Sequence, residues 1–394
     1  MRYINHPPSL ADVITSLKSS TWAAVDTEAD SLHHYVEKLC LMQISTPSED
    51  WVIDPLVPLD LGGLVLVLSQ KPLILHGADF DLRILKKTYG FVPSNIFDTM
   101  IAAQLLGYEK QGLSDLALKH CGVSLPKSAQ KADWSERPLD EKLLAYAAND
   151  THYLKQIADI MGDELAVLGR LEWHRQTCQK LIRTIQLSKE DRTDPAMAWQ
   201  VKGSRELKGS ALTILKELWR WREAEARRRD RPSFKIMNSE ILVDIARWSG
   251  ENSGLDVALM PNLPCRLPAG RQGRQERLPR SVRNQYRDSI NEVIQRAKAM
   301  PQAQYARKTV LNKSKPWTEA SKKWFDLMKA ERDKIAAELK IQPSLLATNA
   351  VLETLSLAAP KNREALQTLG CLLPWQIDVM GEIFFGIINS NESR

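Results

Sequence analysis

Residues 22–28 read Trp22-Ala23-Ala24-Val25-Asp26-Thr27-Glu28, an apolar run that turns acidic at its end. Such a run suits a buried strand, and the two-residue period of a strand puts Asp26 and Glu28 on the same face. Two anions held beside an apolar interior repel each other, which raises their pKa values unless a cation lies between them. Working outward, Lys38 to Ser45 (KLCLMQIS) and Trp51-Val52-Ile53-Asp54 read as the next two strands of an early meander. Lys71 to His76 (KPLILH) is a short apolar run of the buried-strand type, and Asp81 to Lys87 has helical spacing. From Asp98 to about Ile185 the pattern is helical: DTMIAAQLLG ends at Gly107, GLSDLALKHCG ends at Gly122, and Pro138 starts the long segment LDEKLLAYAANDTHYLKQIADIM. A mixed α/β domain over residues 1–190 is expected.

The chain has 394 residues, enough for two or three domains at roughly 100–200 residues each. Its net charge of +6 divides unevenly. Residues 1–200 hold 20 Lys and Arg against 26 Asp and Glu, whereas residues 201–394 hold 34 against 22. A basic half attracts a polyanion such as nucleic acid, and an acidic half handling the same polyanion calls for divalent metal. Within the second half the excess lies in residues 201–350, with 31 basic against 17 acidic residues, while the last 44 hold 3 against 5. The nucleic-acid clamp is therefore expected in the first helical module and its flanks, with the end of the second more structural.

Other classes drop out. Met1 to Leu17 lacks a basic start followed by a long apolar run, so no secretory signal is visible. The longest apolar stretch, Leu61 to Leu68, is far short of the roughly 20 residues that cross a bilayer. The five cysteines are scattered without CxxC or zinc spacing, which fits a soluble protein of the reducing cytoplasm.

Past Thr193-Asp194-Pro195 no strand pattern recurs, and an internal repeat emerges. LKELWRWREAEA (215–226) aligns with FDLMKAERDKIA (325–336), matching Leu218 to Met328, Arg222 to Arg332 and Ala226 to Ala336. After a one-residue insertion, PSFKIMNSEIL (232–242) aligns with PSLLATNAVLE (343–353), matching Pro232 to Pro343, Ser233 to Ser344 and Asn238 to Asn349. Two copies of a helical module are expected at 204–298 and 315–390. The stretch 264–280 (PCRLPAGRQGRQERLPR) reads as a flexible basic insertion in the first.

Two further acidic signals follow the first. In His76-Gly77-Ala78-Asp79-Phe80-Asp81 a buried-type strand ends in a loop that opens a helix, the carboxyl end at which α/β folds place ligands. Either Asp79 or Asp81 can be the functional acid, and either can be an ordinary helix-start residue. In Tyr146-Ala147-Ala148-Asn149-Asp150 the i, i+4 spacing stacks a phenol and a carboxylate on one helical face.

In this order, on strand, loop-helix and helix, these motifs resemble the DEDD exonuclease superfamily, in the subclass whose third motif is Tyr-x-x-x-Asp and within it the ribonuclease D family. Leu41-Met42-Gln43-Ile44, Phe97-Asp98-Thr99-Met100, Gly122-Val123-Ser124-Leu125-Pro126-Lys127-Ser128 and Asp133-Trp134-Ser135-Glu136-Arg137-Pro138 are similar to that family as well. The family's interval from His to Asp selects Asp81. The two C-terminal modules resemble HRDC domains, from which the Arg-rich insertion departs.

The resemblance implies a ribonuclease H-like α/β exonuclease domain, a mixed sheet flanked by helices, followed by two all-α HRDC-like domains. It implies that Asp26, Glu28, Asp81 and Asp150 hold two Mg²⁺ or Mn²⁺ ions. Two such ions can activate water and stabilise the leaving 3′ oxygen. Tyr146 is expected to orient the water, since a phenol with a pKa near 10 is a poor base at pH 7. Gln43 and Lys127 are candidates for substrate contact, and Arg227, Arg228, Arg229 and Arg231 are expected to form a loop that grips phosphates. The neighbouring Trp219 and Trp221 are expected in a core rather than stacked on bases.

The activity so implied is 3′-5′ hydrolysis of RNA by a cytoplasmic monomer that trims tRNA precursors and other small structured RNAs and releases nucleoside 5′-monophosphates. A DNA 3′-5′ exonuclease and a catalytically silent RNA-binding protein are the alternative readings. Deleting residues 204–394 is expected to weaken RNA binding while leaving the metal site assembled.

Overall fold

The computed structural model describes residues 1–126, 129, 131–188, 197–252, 254–260, 284–307 and 316–390. Lys127 and the insertion 264–280 lie outside them. Six strands form one mixed sheet: β1 (Arg2–Ile4), β2 (Ala23–Ala29), β3 (Leu39–Ser45), β4 (Asp50–Ile53), β5 (Pro72–Leu75) and β6 (Asn95–Asp98), in the order β1-β4-β3-β2-β5-β6. The β2-β3-β4 meander is antiparallel, while β1 on β4, β5 on β2 and β6 on β5 are parallel. The edge strands β1 and β6 are three and four residues long, too short to show a period in sequence.

Helices cover both faces. On one, α1 (Pro7–Ser19), α2 (Gly62–Ser69), α3 (Asp79–Tyr89) and α8 (Leu171–Leu187) pack on Val25, Met42 and Ile44. The Leu61 to Leu68 run is thus mostly the helix α2, which buries Leu64 and Leu68 and leaves Leu66 exposed. On the other face, α6 (Glu141–His152) and α7 (Leu154–Val167) lie over Leu41, Val52, Ala24 and Ile74. These two helices were expected as one from Pro138. The observed start is set by Asp140, whose side chain accepts the Lys142 N–H at 2.7 Å. The break at Tyr153 follows Thr151 and His152, which hydrogen-bond Ser45 and Asp50 of the meander.

Two short helices, α4 (Thr99–Leu105) and α5 (Leu113–Cys121), complete the nuclease module. Their apolar faces close only partly on the sheet side, through Ile101 and Leu113. Together with α7 they share one hydrophobic core with α13 (Glu319–Leu339), α14 (Pro343–Leu346), α15 (Asn349–Ala358), α16 (Arg363–Leu369) and α17 (Pro374–Ser390). The sheet, α1–α8 and α13–α17 form one compact unit. Deleting residues 204–394, expected to leave the metal site assembled, would strip the apolar cover from Ala103, Leu116 and Met161.

The second unit comprises residues 30–37 and α9 (Gly209–Arg229), α10 (Ser233–Ile236), α11 (Ser239–Glu251) and α12 (Arg287–Ala299) around their own core. Trp219 and Trp221 are partly buried against that core. Each unit contains one copy of the repeat, and the copies agree in detail. The buried Arg222 guanidinium donates to the Met237 carbonyl and Ser239 hydroxyl and pairs with Glu223. The buried Arg332 does the same to the Ala347 carbonyl and the Asn349 side chain and pairs with Asp333. The one-residue insertion is not observed. A constant offset of 110 residues relates α9 to α13, α10 to α14 and the caps Asn238 and Thr348, so Pro232 corresponds to Gln342 rather than to Pro343.

The arginine run also differs from expectation. Arg227 to Arg229 form the last turn of α9 rather than a loop, and the helix ends at Asp230 in the left-handed conformation (φ 47°). Cations are stabilised there by the unpaired carbonyls at the negative end of the helix dipole. Among the described residues no helix is long and apolar enough to cross a membrane.

Candidate active site

In the β2–β3 ladder Asp26 stands opposite Gln43 and Glu28 opposite Leu41, while the preceding Val25 is in the core on the other face. Strand alternation therefore aims both acids at the face covered by α6. Along that helix Tyr146 and Asp150 lie one turn apart, and carboxylate oxygens of Asp26, Glu28 and Asp150 lie within 4.8 Å of one another.

Asp81 sits in the first turn of α3, 5% exposed, and is not part of that tight group. Its Oδ1 accepts a 2.5 Å hydrogen bond from the hydroxyl of Thr27, the residue between the two strand acids. The alternative acid, Asp79, is exposed and held by Arg83 at 2.7 and 2.8 Å on the helix surface. Of the two, only Asp81 joins the electrostatics of the cluster.

Burial and mutual repulsion make the cluster hard to ionise. Burial, then Asp81, Asp150 and Glu28, push the Asp26 carboxyl well above the usual range. Burial and the neighbouring Asp150 and Asp81 raise Glu28 to about 8. Burial takes Asp150 to about 7 and Asp81 to about 6, the latter restrained by the Thr27 hydrogen bond. Among the described residues no Lys or Arg pairs with any of the four. Oxygen-only donors, uncompensated charge and this spacing fit a hard divalent cation. Burial and the nearby acids also push the Tyr146 phenol above its ordinary value, so it stays protonated and serves as a donor rather than a base.

The surroundings fix Tyr146. Its ring lies 6.1 Å from that of the buried Trp134, whose carbonyl accepts from the Arg137 guanidinium at 2.7 Å. Arg137 is in turn paired in a fork with the buried Asp54 at 2.6 and 2.8 Å. Sequence reading gave Thr27, Asp54 and Asp98 no role. For Asp98 the available signal was an Asp opening a helical run, since it caps α4.

Gln43 is fully buried, and among the described residues its amide has no hydrogen-bond partner. It lies at the floor of the site and does not reach solvent. Lys127 is outside the described residues. In the second unit Arg228 and Arg229 both pair with Glu225, Arg227 lies 5.5 Å from the Tyr35 ring, and Arg231 is exposed.

Residues 1–166 match a 3′-5′ exonuclease family, and residues 211–248 and 321–388 match the HRDC domain. Ribonuclease D of Sphingobium indicum is 35% identical over 62% of this chain, a match spanning 63% of that relative, so less than two thirds of its length. Ribonuclease D of Gluconacetobacter diazotrophicus is 27% identical over 95% of this chain and 89% of its own. The crystal structure of Escherichia coli RNase D, described as an exoribonuclease involved in structured RNA processing, superposes with a TM-score of 0.68. It is 22% identical, covering 99% of this chain and 98% of that one, and shares the fold.

Proposed function

The chain belongs to the ribonuclease D family, a 3′-5′ exonuclease domain followed by HRDC domains, and from that premise we propose that it is a metal-dependent 3′-5′ exoribonuclease. Its substrates in this reading are tRNA precursors and other small structured RNAs with single-stranded 3′ ends, and its products are nucleoside 5′-monophosphates. The reading is that of a cytoplasmic monomer with domains at 1–190, 204–298 and 315–390. The observation that carries it is the cluster of Asp26, Glu28 and Asp150 within 4.8 Å, joined electrostatically by Asp81 and lacking a cationic side chain among the described residues.

Asp26, Glu28, Asp81 and Asp150 would hold two Mg²⁺ or Mn²⁺ ions. When bound, such ions lower the pKa of water and offset the charge that builds on a phosphodiester and its leaving 3′ oxygen. The chain does the rest. Thr27 orients Asp81 by hydrogen-bonding its Oδ1, a bond that favours the ionised carboxylate against the effect of burial. Tyr146, protonated and packed beside Trp134, would donate from its hydroxyl to the attacking water and so orient it. Arg227 and Arg231, which form no ion pair among the described residues, contact phosphates more strongly than Arg228 and Arg229, whose charge is shared with Glu225.

The test is release of 5′-mononucleotides from a defined 3′-extended tRNA precursor by the full chain, with and without Mg²⁺ or Mn²⁺. Release that requires metal is expected, and Asp26→Asn should abolish it while RNA binding persists. No release by the unaltered chain overturns the enzyme reading. Preference for a matched DNA strand overturns the substrate assignment.

A further inference from the structure

The helix that carries Asp81 has no cap of its own. Its N-cap residue is Ala78, which makes no side-chain hydrogen bond, so the first N–H groups of the β5–α3 turn need an acceptor from elsewhere. Asp98 supplies it. Asp98 ends β6, the parallel neighbour of β5, with Leu75 and Asp98 paired in register, and its side chain is 1% exposed.

One carboxylate serves both strand ends. Oδ1 accepts from the N–H groups of Met100 at 2.8 Å and Ile101 at 3.2 Å, which caps α4, and also from Gly77 at 3.0 Å. Oδ2 accepts from Ala78 at 2.8 Å. Oδ1 takes three donors and Oδ2 one, a load that calls on both oxygens of a carboxylate; an amide has one acceptor oxygen and a hydroxyl fewer lone pairs facing the turn. The turn is tied at two more points. Thr99 donates to the Leu75 carbonyl at 3.2 Å and its hydroxyl meets His76 Nδ1 at 2.9 Å. Gly77 adopts φ +70°, and a Cβ there would come within 3.0 Å of Met100 Cε. The Asp98 carbonyl is itself anchored by His174 Nε2 at 3.0 Å.

We propose that Asp98 is a positioning residue for the nuclease reaction: by clamping Gly77 and Ala78 it fixes the first turn of α3, and through it the carboxylate of Asp81. The proposal rests on the reading of Asp81 as a metal ligand. Capping α4 alone is a structural task that serine performs, since its hydroxyl accepts from the second and third helical N–H groups. Holding the Ala78 N–H on the neighbouring strand's turn as well needs the second oxygen, and Gly77 needs the first to reach beyond the cap. Asp98→Ser therefore keeps the cap and releases the clamp.

The experiment titrates Mn²⁺ into the full chain by calorimetry for the unaltered protein, Asp98→Ser and Asp98→Asn, alongside thermal melts and mononucleotide release. Both variants should keep a cooperative melt. Their Mn²⁺ dissociation constant should rise by about tenfold or more, the scale of losing a group that orients a metal ligand. Their turnover should recover as Mn²⁺ is raised, which a merely unfolded fraction would not do. Unchanged Mn²⁺ affinity in folded variants overturns the proposal, as does failure of both variants to fold, which would make Asp98 a fold determinant only. If the unaltered chain binds Mn²⁺ yet releases no nucleotide, the nuclease reading fails while the role of Asp98 in the metal site is still decided by the calorimetry.

Discussion

Trp173 of α8 and Trp375 of α17 stack face to face, with ring centroids 4.6 Å apart and planes inclined by 14°. The contact joins the nuclease module to the second helical module inside one core, 199 residues apart in sequence at the adjoining Gln176–Trp375 hydrogen bond. Arg170 extends the join by donating to the carbonyls of Leu105 and Leu339 at the ends of α4 and α13.

The second module should therefore behave as part of the nuclease. Trp375 is 2% exposed, and Trp375→Ala should cost about 3–5 kcal/mol, the range for truncating a large core aromatic. Deleting residues 316–394 should abolish the cooperative melt of the nuclease. A melting temperature unchanged by the deletion would show that the two modules fold independently.

Metal binding and pH should be linked with a definite sign. The carboxyls of Asp26, Glu28, Asp81 and Asp150 all titrate above their ordinary range, so without metal the folded state holds protons that the unfolded state has lost. Their contribution to stability then falls as pH rises from about 4.5 through the folded values of about 6 to 8. In EDTA the cluster should lower the melting temperature over that window. Added Mn²⁺ should raise it more at pH 8 than at pH 6, because the ligands must be ionised. Differential scanning calorimetry at both pH values checks this, and a metal-induced shift independent of pH would contradict it.

Tyr146→Phe should slow turnover more than it changes metal affinity. The phenol is held protonated and acts by orienting, and the ring that packs on Trp134 is retained. Single-turnover kinetics paired with Mn²⁺ calorimetry separate the two effects.

Gln43→Met should leave the Michaelis constant for RNA unchanged, since the side chain is fully buried and cannot touch the strand. It should hold or raise the melting temperature, because an unpaired buried amide costs about 1–3 kcal/mol. A large rise in the constant would restore Gln43 as a substrate contact.

In the arginine run, Arg227→Ala and Arg231→Ala should each weaken RNA binding and reduce its salt dependence by about one phosphate contact. Arg228→Ala should do less, because Glu225 already shares its charge. Filter binding across a salt series distinguishes them.

By itself the sequence determined what short-range patterns encode. Short apolar runs marked β2, β3, β4 and β5, the strand period put Asp26 and Glu28 on one face, helical spacing put Tyr146 and Asp150 on one helical face, and the paired arginines Arg222 and Arg332 disclosed the repeat. The strands, the helix and the residue pairs are written in residues a few positions apart, and the repeat in the likeness of two such local patterns. The residues alone left Asp79 and Asp81 open and the family resemblance favoured Asp81; the tertiary structure supplies the physical reason, because the first finds Arg83 on its own helix and the second finds Thr27 on a strand 54 residues away. It alone buried Gln43, turned the arginine run into a helix end, gave Asp98 two helices to hold, and joined the second module to the nuclease core. Those outcomes depend on which surfaces meet across long stretches of chain, and apolar burial, being non-directional, leaves no local spacing to mark its partner.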